Sequence, residues 1–107
     1  MKIELKTTSG QELKTQIFNS IEDETLKTWE IRTDKDGNQF LTHSPEQWAD
    51  IALLKLIPKK DKLEIQFAWW QKNDEPSVEV KGYYIGRITE ILLVHFANMF
   101  DEFEIKK

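Results

Sequence analysis

The stretch Leu63 to Trp70, LEIQFAWW, constrains the fold more than any other part of the chain. Leu63, Ile65 and Phe67 alternate with Glu64, Gln66 and Ala68, the period of two that belongs to a strand with one covered face. Such a strand needs a hydrogen-bonded neighbour. Alternation also separates the two adjacent indoles. Trp69 joins Leu63, Ile65 and Phe67 on the core face, and Trp70 falls on the polar one. An antiparallel sheet with helices on one side leaves its second face wet. Trp70 is therefore either covered by a terminal segment such as Phe103 and Ile105, or offered to a partner.

The neighbouring strands are read in the same way. Pro58-Lys59-Lys60-Asp61 is a turn, and Ile51 to Ile57 is the strand before it. From Leu26 onward Trp29, Ile31 and Thr33 face one way and Glu30, Arg32 and Asp34 the other. Asp36-Gly37-Asn38 then supplies the positive φ of a tight hairpin, and Gln39 to Thr42 returns. Lys2 to Thr7 alternates Ile3 and Leu5 with charges, a short edge strand.

Two helices complete the pattern. Ser9 and Glu12 have capping-box spacing, and Leu13, Ile17 and Ile21 recur every four residues, which predicts a first helix over Gly10 to Asp23. A hairpin turning at Ser9-Gly10 is the competing reading. The last helix is expected from about Tyr83 to Phe100. It would place Tyr84, Ile85, Ile88, Ile91, Leu92, His95, Phe96 and Met99 on one arc, with Tyr83, Gly86, Arg87 and Glu90 on its back. Val78 and Val80 read as a short extended piece before Gly82. Ser44, Pro45 and Gln47 predict a helical start, stopped near Asp50.

These elements predict one α+β domain over residues 1–107, with an antiparallel sheet of about four or five strands, an N-terminal helix and a long C-terminal helix. The length of 107 residues, 39% hydrophobic, suits a single core. Neither a leader-like apolar segment at the N-terminus nor an 18-residue apolar run is present, so a soluble cytoplasmic chain with no membrane contact is expected.

The chemistry is defined mostly by exclusion. With no cysteine there are no disulfides, thiol nucleophiles or usual structural zinc sites. Asp34-Lys35-Asp36-Gly37-Asn38 resembles the opening of a calcium loop. Counted from Asp34, however, the glycine position is Gln39 and the bidentate glutamate position is Pro45, so no metal is assigned. His43 and His95 lack metal spacing. His95, on the apolar arc, is expected to be a buried structural imidazole, and His43 an ordinary loop residue. Gly82-x-x-x-Gly86 would permit close approach of another element. No catalytic residue and no cofactor site is assigned.

A net charge of -4, with only Arg32 and Arg87 as arginines, argues against nucleic acid. A weak single-strand platform at Lys55, Lys59, Lys60 and Lys62 with the nearby aromatics is one minor alternative. A small-molecule or enzymatic pocket between the last helix and the sheet, around His95, Tyr84 and Trp69, is another.

The favoured reading is a non-enzymatic protein-binding module. Its most concrete form is an immunity or antitoxin protein whose carboxylates cover the basic cleft of a toxin domain. Trp70 is the expected anchor, with Glu64, Gln66, Glu30 and Arg32 as its polar rim. Tyr83, Arg87 and Glu90 on the back of the last helix form the second candidate surface, and a homodimer is compatible with the sequence.

Overall fold

Segments of period two pair into strands, and two segments of helical period cover them. In the computed structural model, which covers residues 1–107, the order is β1 (Lys2–Lys6), α1 (Gly10–Glu22), β2 (Trp29–Thr33), β3 (Gln39–His43), β4 (Leu53–Pro58), β5 (Lys62–Ala68), α2 (Val78–His95) and β6 (Glu102–Lys106). The six strands form one antiparallel sheet in the order β2-β3-β4-β5-β1-β6. No helix is long and apolar enough to cross a membrane.

Register decides what the sheet covers. Ile3 lies opposite Ile65, Leu5 opposite Leu63, Leu56 opposite Ile65, and Leu41 opposite both Leu54 and Ile31, so the apolar sets of five strands coincide on one face. Both helices lie on that face. Leu13, Ile17, Phe18 and Ile21 of α1 and Tyr84, Ile85, Ile88, Ile91 and Leu92 of α2 are buried in a single core with the strand residues. Each aliphatic side chain removed from water there contributes about 1.5–3 kcal/mol. The other face carries the charges.

Helix α1 begins where the sequence predicts. The Ser9 hydroxyl accepts from Glu12 N at 3.1 Å and Gly10 N donates to Lys59 O at 3.1 Å. A Cβ on Gly10 would stand 2.1 Å from Lys62 O, so only glycine lets the helix start dock on the β4–β5 turn. The hairpin reading at Ser9-Gly10 is thereby excluded. The β2–β3 turn is likewise closed by its own side chain. Asp34 Oδ1 accepts from Asp36 N and Asn38 N, both at 2.9 Å, and Gly37 takes φ +86°.

Four expectations change. Helix α2 starts five residues earlier than predicted, at Val78, because the Ser77 hydroxyl caps it by accepting from Val80 N at 3.3 Å. It stops at His95, before Phe100, because the following turn is claimed by β1. Thr7 Oγ1 donates to Met99 O, and Asp101 N to Lys6 O, each at 2.7 Å. The strand after it, β6, pairs with β1 at the far edge of the sheet, so Phe103 and Ile105 do not cover Trp70. Finally, Ser44-Pro45 opens a turn, with Trp48 N and Ala49 N both donating to Pro45 O, and no helix follows.

Candidate protein-interaction face

The candidate face is built on a polar knot at the end of β3. Tyr84, fully buried, projects from α2 and donates its hydroxyl hydrogen to Trp48 O, while its oxygen lies 3.2 Å from Thr42 Oγ1. Thr42 in turn donates to Ala52 O at 3.2 Å and accepts from Asp50 N at 2.9 Å. The loop from Ser44 to Ala52 is thus tied to the core. It is stapled on its outside as well, where Trp48 stacks on Tyr83 at 3.6 Å and 9°. Asp50 is held at φ +63°, a left-handed conformation rare for a residue with a side chain. Such a conformation persists only where the surroundings over-determine it, and it accumulates at functional sites.

Asp50 then organises the open sheet face. Its Oδ1 accepts from Arg32 Nε at 3.0 Å and its Oδ2 from Arg32 Nη2 at 3.3 Å, a fork geometry that orients both groups. Arg32 Nη1 donates to Glu30 Oε1 at 2.8 Å. Trp70 Nε1 donates to Asp50 Oδ1 at 3.3 Å, and Asn73 Nδ2 to Asp50 O at 3.3 Å. Partial burial pushes the Asp50 carboxyl up, but the Arg32 and Trp70 hydrogen bonds outweigh it and leave it below the ordinary value. Phe40, directly opposite Arg32 in the ladder, meets the Trp70 ring edge-on at 6.1 Å. Ile51 is exposed beside this group.

The eight residues singled out from the sequence therefore fall into three places. Trp70, Arg32 and Glu30 come together through Asp50, which sequence reasoning passed over. Glu64 and Gln66 lie towards the other end of the sheet. Glu64 sits beneath lysine side chains, 2.9 Å from Lys2 Nζ and 3.0 Å from Lys59 Nζ, and these bonds hold its carboxyl at about 2 against an ordinary 4.5. Tyr83, Arg87 and Glu90 form the third group. The Arg87 guanidinium lies 5.6 Å from the Tyr83 ring centre and 3.7 Å from Glu90, and the Tyr83 hydroxyl is 3.3 Å from His43 Nε2.

Several roles are corrected. Trp69 is 38% exposed and outside the core, because β5 ends at Ala68 and strand alternation does not reach the indoles. Trp70 is half-buried by its contacts with Asp50 and Phe40. His95 is exposed at the end of α2, whereas His43 is buried in β3, 4.9 Å from the Trp29 ring. Burial pushes the His43 imidazole below its ordinary 6.5. Nothing approaches Gly82 or Gly86 within 4 Å of a built Cβ.

The residues expected to line the rival pocket do not converge, since Tyr84 is fully buried whereas His95 and Trp69 are exposed. The larger clefts lie elsewhere. The lysine turn is at the opposite end of β5 from the indoles, and Lys59 and Lys62 are paired with Glu64 and Glu4. No group of three or more His, Asp or Glu side chains is placed to hold a metal ion. Comparison with family models, with curated proteins and with solved structures finds no significant match.

Proposed function

We propose that the chain is a non-enzymatic protein-binding module that docks through the open sheet face around Trp70. The observation that carries this reading is the indole itself, half-exposed on a polar face and fixed by Asp50 and Phe40. Trp and Arg dominate interface hot spots because they bury large areas and keep a polar handle, and a side chain already fixed loses little entropy on binding.

The more specific form is an immunity or antitoxin protein of cytoplasmic action that covers the basic cleft of a toxin domain. It is supported by the net charge of -4 and by the carboxylates of Glu30, Asp34 and Asp36 at this end of the sheet. Carboxylates steer association with a basic cleft, and an aromatic anchor slows dissociation.

Affinity capture with wild-type and Trp70→Ala baits, read by mass spectrometry, tests both levels. The expected result is a protein held by the wild type and lost by the folded variant, whose toxicity on expression is suppressed by the wild-type chain. Partners captured equally by both baits would overturn the Trp70 face. A Trp70-dependent partner with no toxicity would overturn only the immunity form.

A further inference from the structure

The backbone of β2 is free along one side. Ser44 N donates to Thr28 O at 2.8 Å and Asp34 N to Asn38 O at 3.0 Å, so the bonded positions facing β3 are the even ones. The odd ones turn outward. Ile31 and Thr33 direct both N–H and C=O to the free edge, together with the C=O of Trp29, whose own N–H is used by Leu26 O at 3.3 Å. An unpaired row of this kind is a template for another strand.

We propose that the occupant of this edge is a second copy of the chain, with β2 pairing antiparallel to β2 about a two-fold axis at Ile31 and joining the two six-stranded sheets. The sequence Trp29-Glu30-Ile31-Arg32-Thr33 is self-complementary in that register. Ile31 exchanges both bonds with its copy, and Glu30 comes opposite Arg32 of the second copy, twice, on the open face. Asp50 occupies Arg32 Nε and Nη2 and leaves Nη1 for a carboxylate, a place taken within the single chain by Glu30 at 2.8 Å. A closed two-fold contact uses the same patch on both copies. The other edge lacks this property, since a two-fold at the middle of β6 sets Glu104 against itself.

The groove beside β2 fits the same partner. It is open, has a volume of about 570 Å³, and is lined by Ile21, Leu26, Trp29 and Ile31 with Glu22 and Glu24 at its rim. Pairing at the edge carries Ile31 of the second copy to the helix side of the sheet, alongside this apolar lining. Interdigitated aliphatic contact there adds to the backbone bonds.

The edge contact shares Glu30 and Arg32 with the open face, and the outward backbone groups of β2, which the Trp70 face does not use, keep the two apart in the experiment. Sedimentation velocity on the full chain over a concentration series is expected to show a monomer–dimer equilibrium. A monomer at every concentration overturns the proposal. Glu30→Arg, at an exposed position, puts arginine opposite arginine and is expected to weaken dimerisation about tenfold or more. Thr33→Pro removes an outward N–H, leaves the β2–β3 ladder intact, and should do the same.

Circular dichroism confirms that both variants fold. A dimer indifferent to both β2 substitutions would lie on another surface. In the wild type, the Ile31 and Thr33 amides are expected to gain hydrogen-exchange protection as concentration rises. Their exchange at a constant fast rate across the transition would also overturn the register.

Discussion

The indole N–H of Trp70 and the carboxylate of Asp50 lie 3.3 Å apart, and this bond joins the end of β5 to a loop twenty residues earlier. The Asp50 oxygen in that bond also accepts from Arg32 Nε, and the second oxygen from Arg32 Nη2. One residue in an unusual backbone conformation therefore sets the positions of both hot-spot side chain types on the open face. Asp50 is itself set by Thr42, and Thr42 by Tyr84, so the face is continuous with the core.

The adjacent indoles should respond differently to truncation. Trp70→Ala loses the Asp50 bond and the Phe40 contact, and is expected to cost about 1–2 kcal/mol in urea unfolding. Trp69→Ala should cost about 1 kcal/mol or less. Both values fall below the ~3–5 kcal/mol of a fully buried aromatic. A larger loss at Trp69 than at Trp70 would contradict the placement of the two rings.

Tyr84→Phe keeps the ring and deletes the hydroxyl, leaving Trp48 O without its donor in the interior. A buried polar group without a partner costs about 1–3 kcal/mol, read as a lower unfolding midpoint. Asp50 N, bonded to Thr42 Oγ1, should exchange faster in this variant. An unchanged midpoint would mean that the knot does not hold the loop.

His43 makes stability depend on pH from the neutral side. Its folded pKa is depressed by burial, so below the ordinary 6.5 the unfolded chain takes up a proton that the native state resists. Stability from this group is present above pH 6.5 and is lost as the pH falls below it. Thermal melts from pH 8 down to 5 should show the decline, and His43→Gln should flatten it.

The window of Glu64 is lower and separate. With a folded value of about 2 against 4.5, its contribution is present above pH 4.5 and is lost as pH falls from there to about 2. Glu64→Gln is expected to be less stable at neutral pH, where Lys2 and Lys59 lose their anion, and to show a shallower acid limb. An identical acid limb in the variant would remove Glu64 from the account.

Much of the scaffold is legible where the signal is local. Ser9 and Glu12 mark the start of α1, Asp34 to Asn38 the hairpin, and the alternation in β2 and β5 their buried faces, because each depends on neighbours within a few residues. The errors occur where long-range pairing decides. Phe103 and Ile105 alternate with Glu102, Glu104 and Lys106, yet only β1 makes that segment a strand. The end of β5 at Ala68, which frees Trp69, is also a tertiary event. Arg32 and Glu30 are legible as neighbours on β2, and Trp70 joins them through the Asp50 hydrogen bonds and not through strand alternation, which ends with β5 at Ala68. Asp50 is not legible, since its role comes from Arg32, Thr42, and Trp70 with Asn73 converging on it from three separate segments.

The claim that the Trp70 face is a docking surface is tested most directly by titrating the captured partner into wild-type chain and into Trp70→Ala by calorimetry. Loss of a hot spot of about 2 kcal/mol corresponds to roughly 30-fold weaker binding, mainly through faster dissociation, and that is the predicted result for a variant that stays folded. Equal affinity of the two proteins for the partner would contradict it.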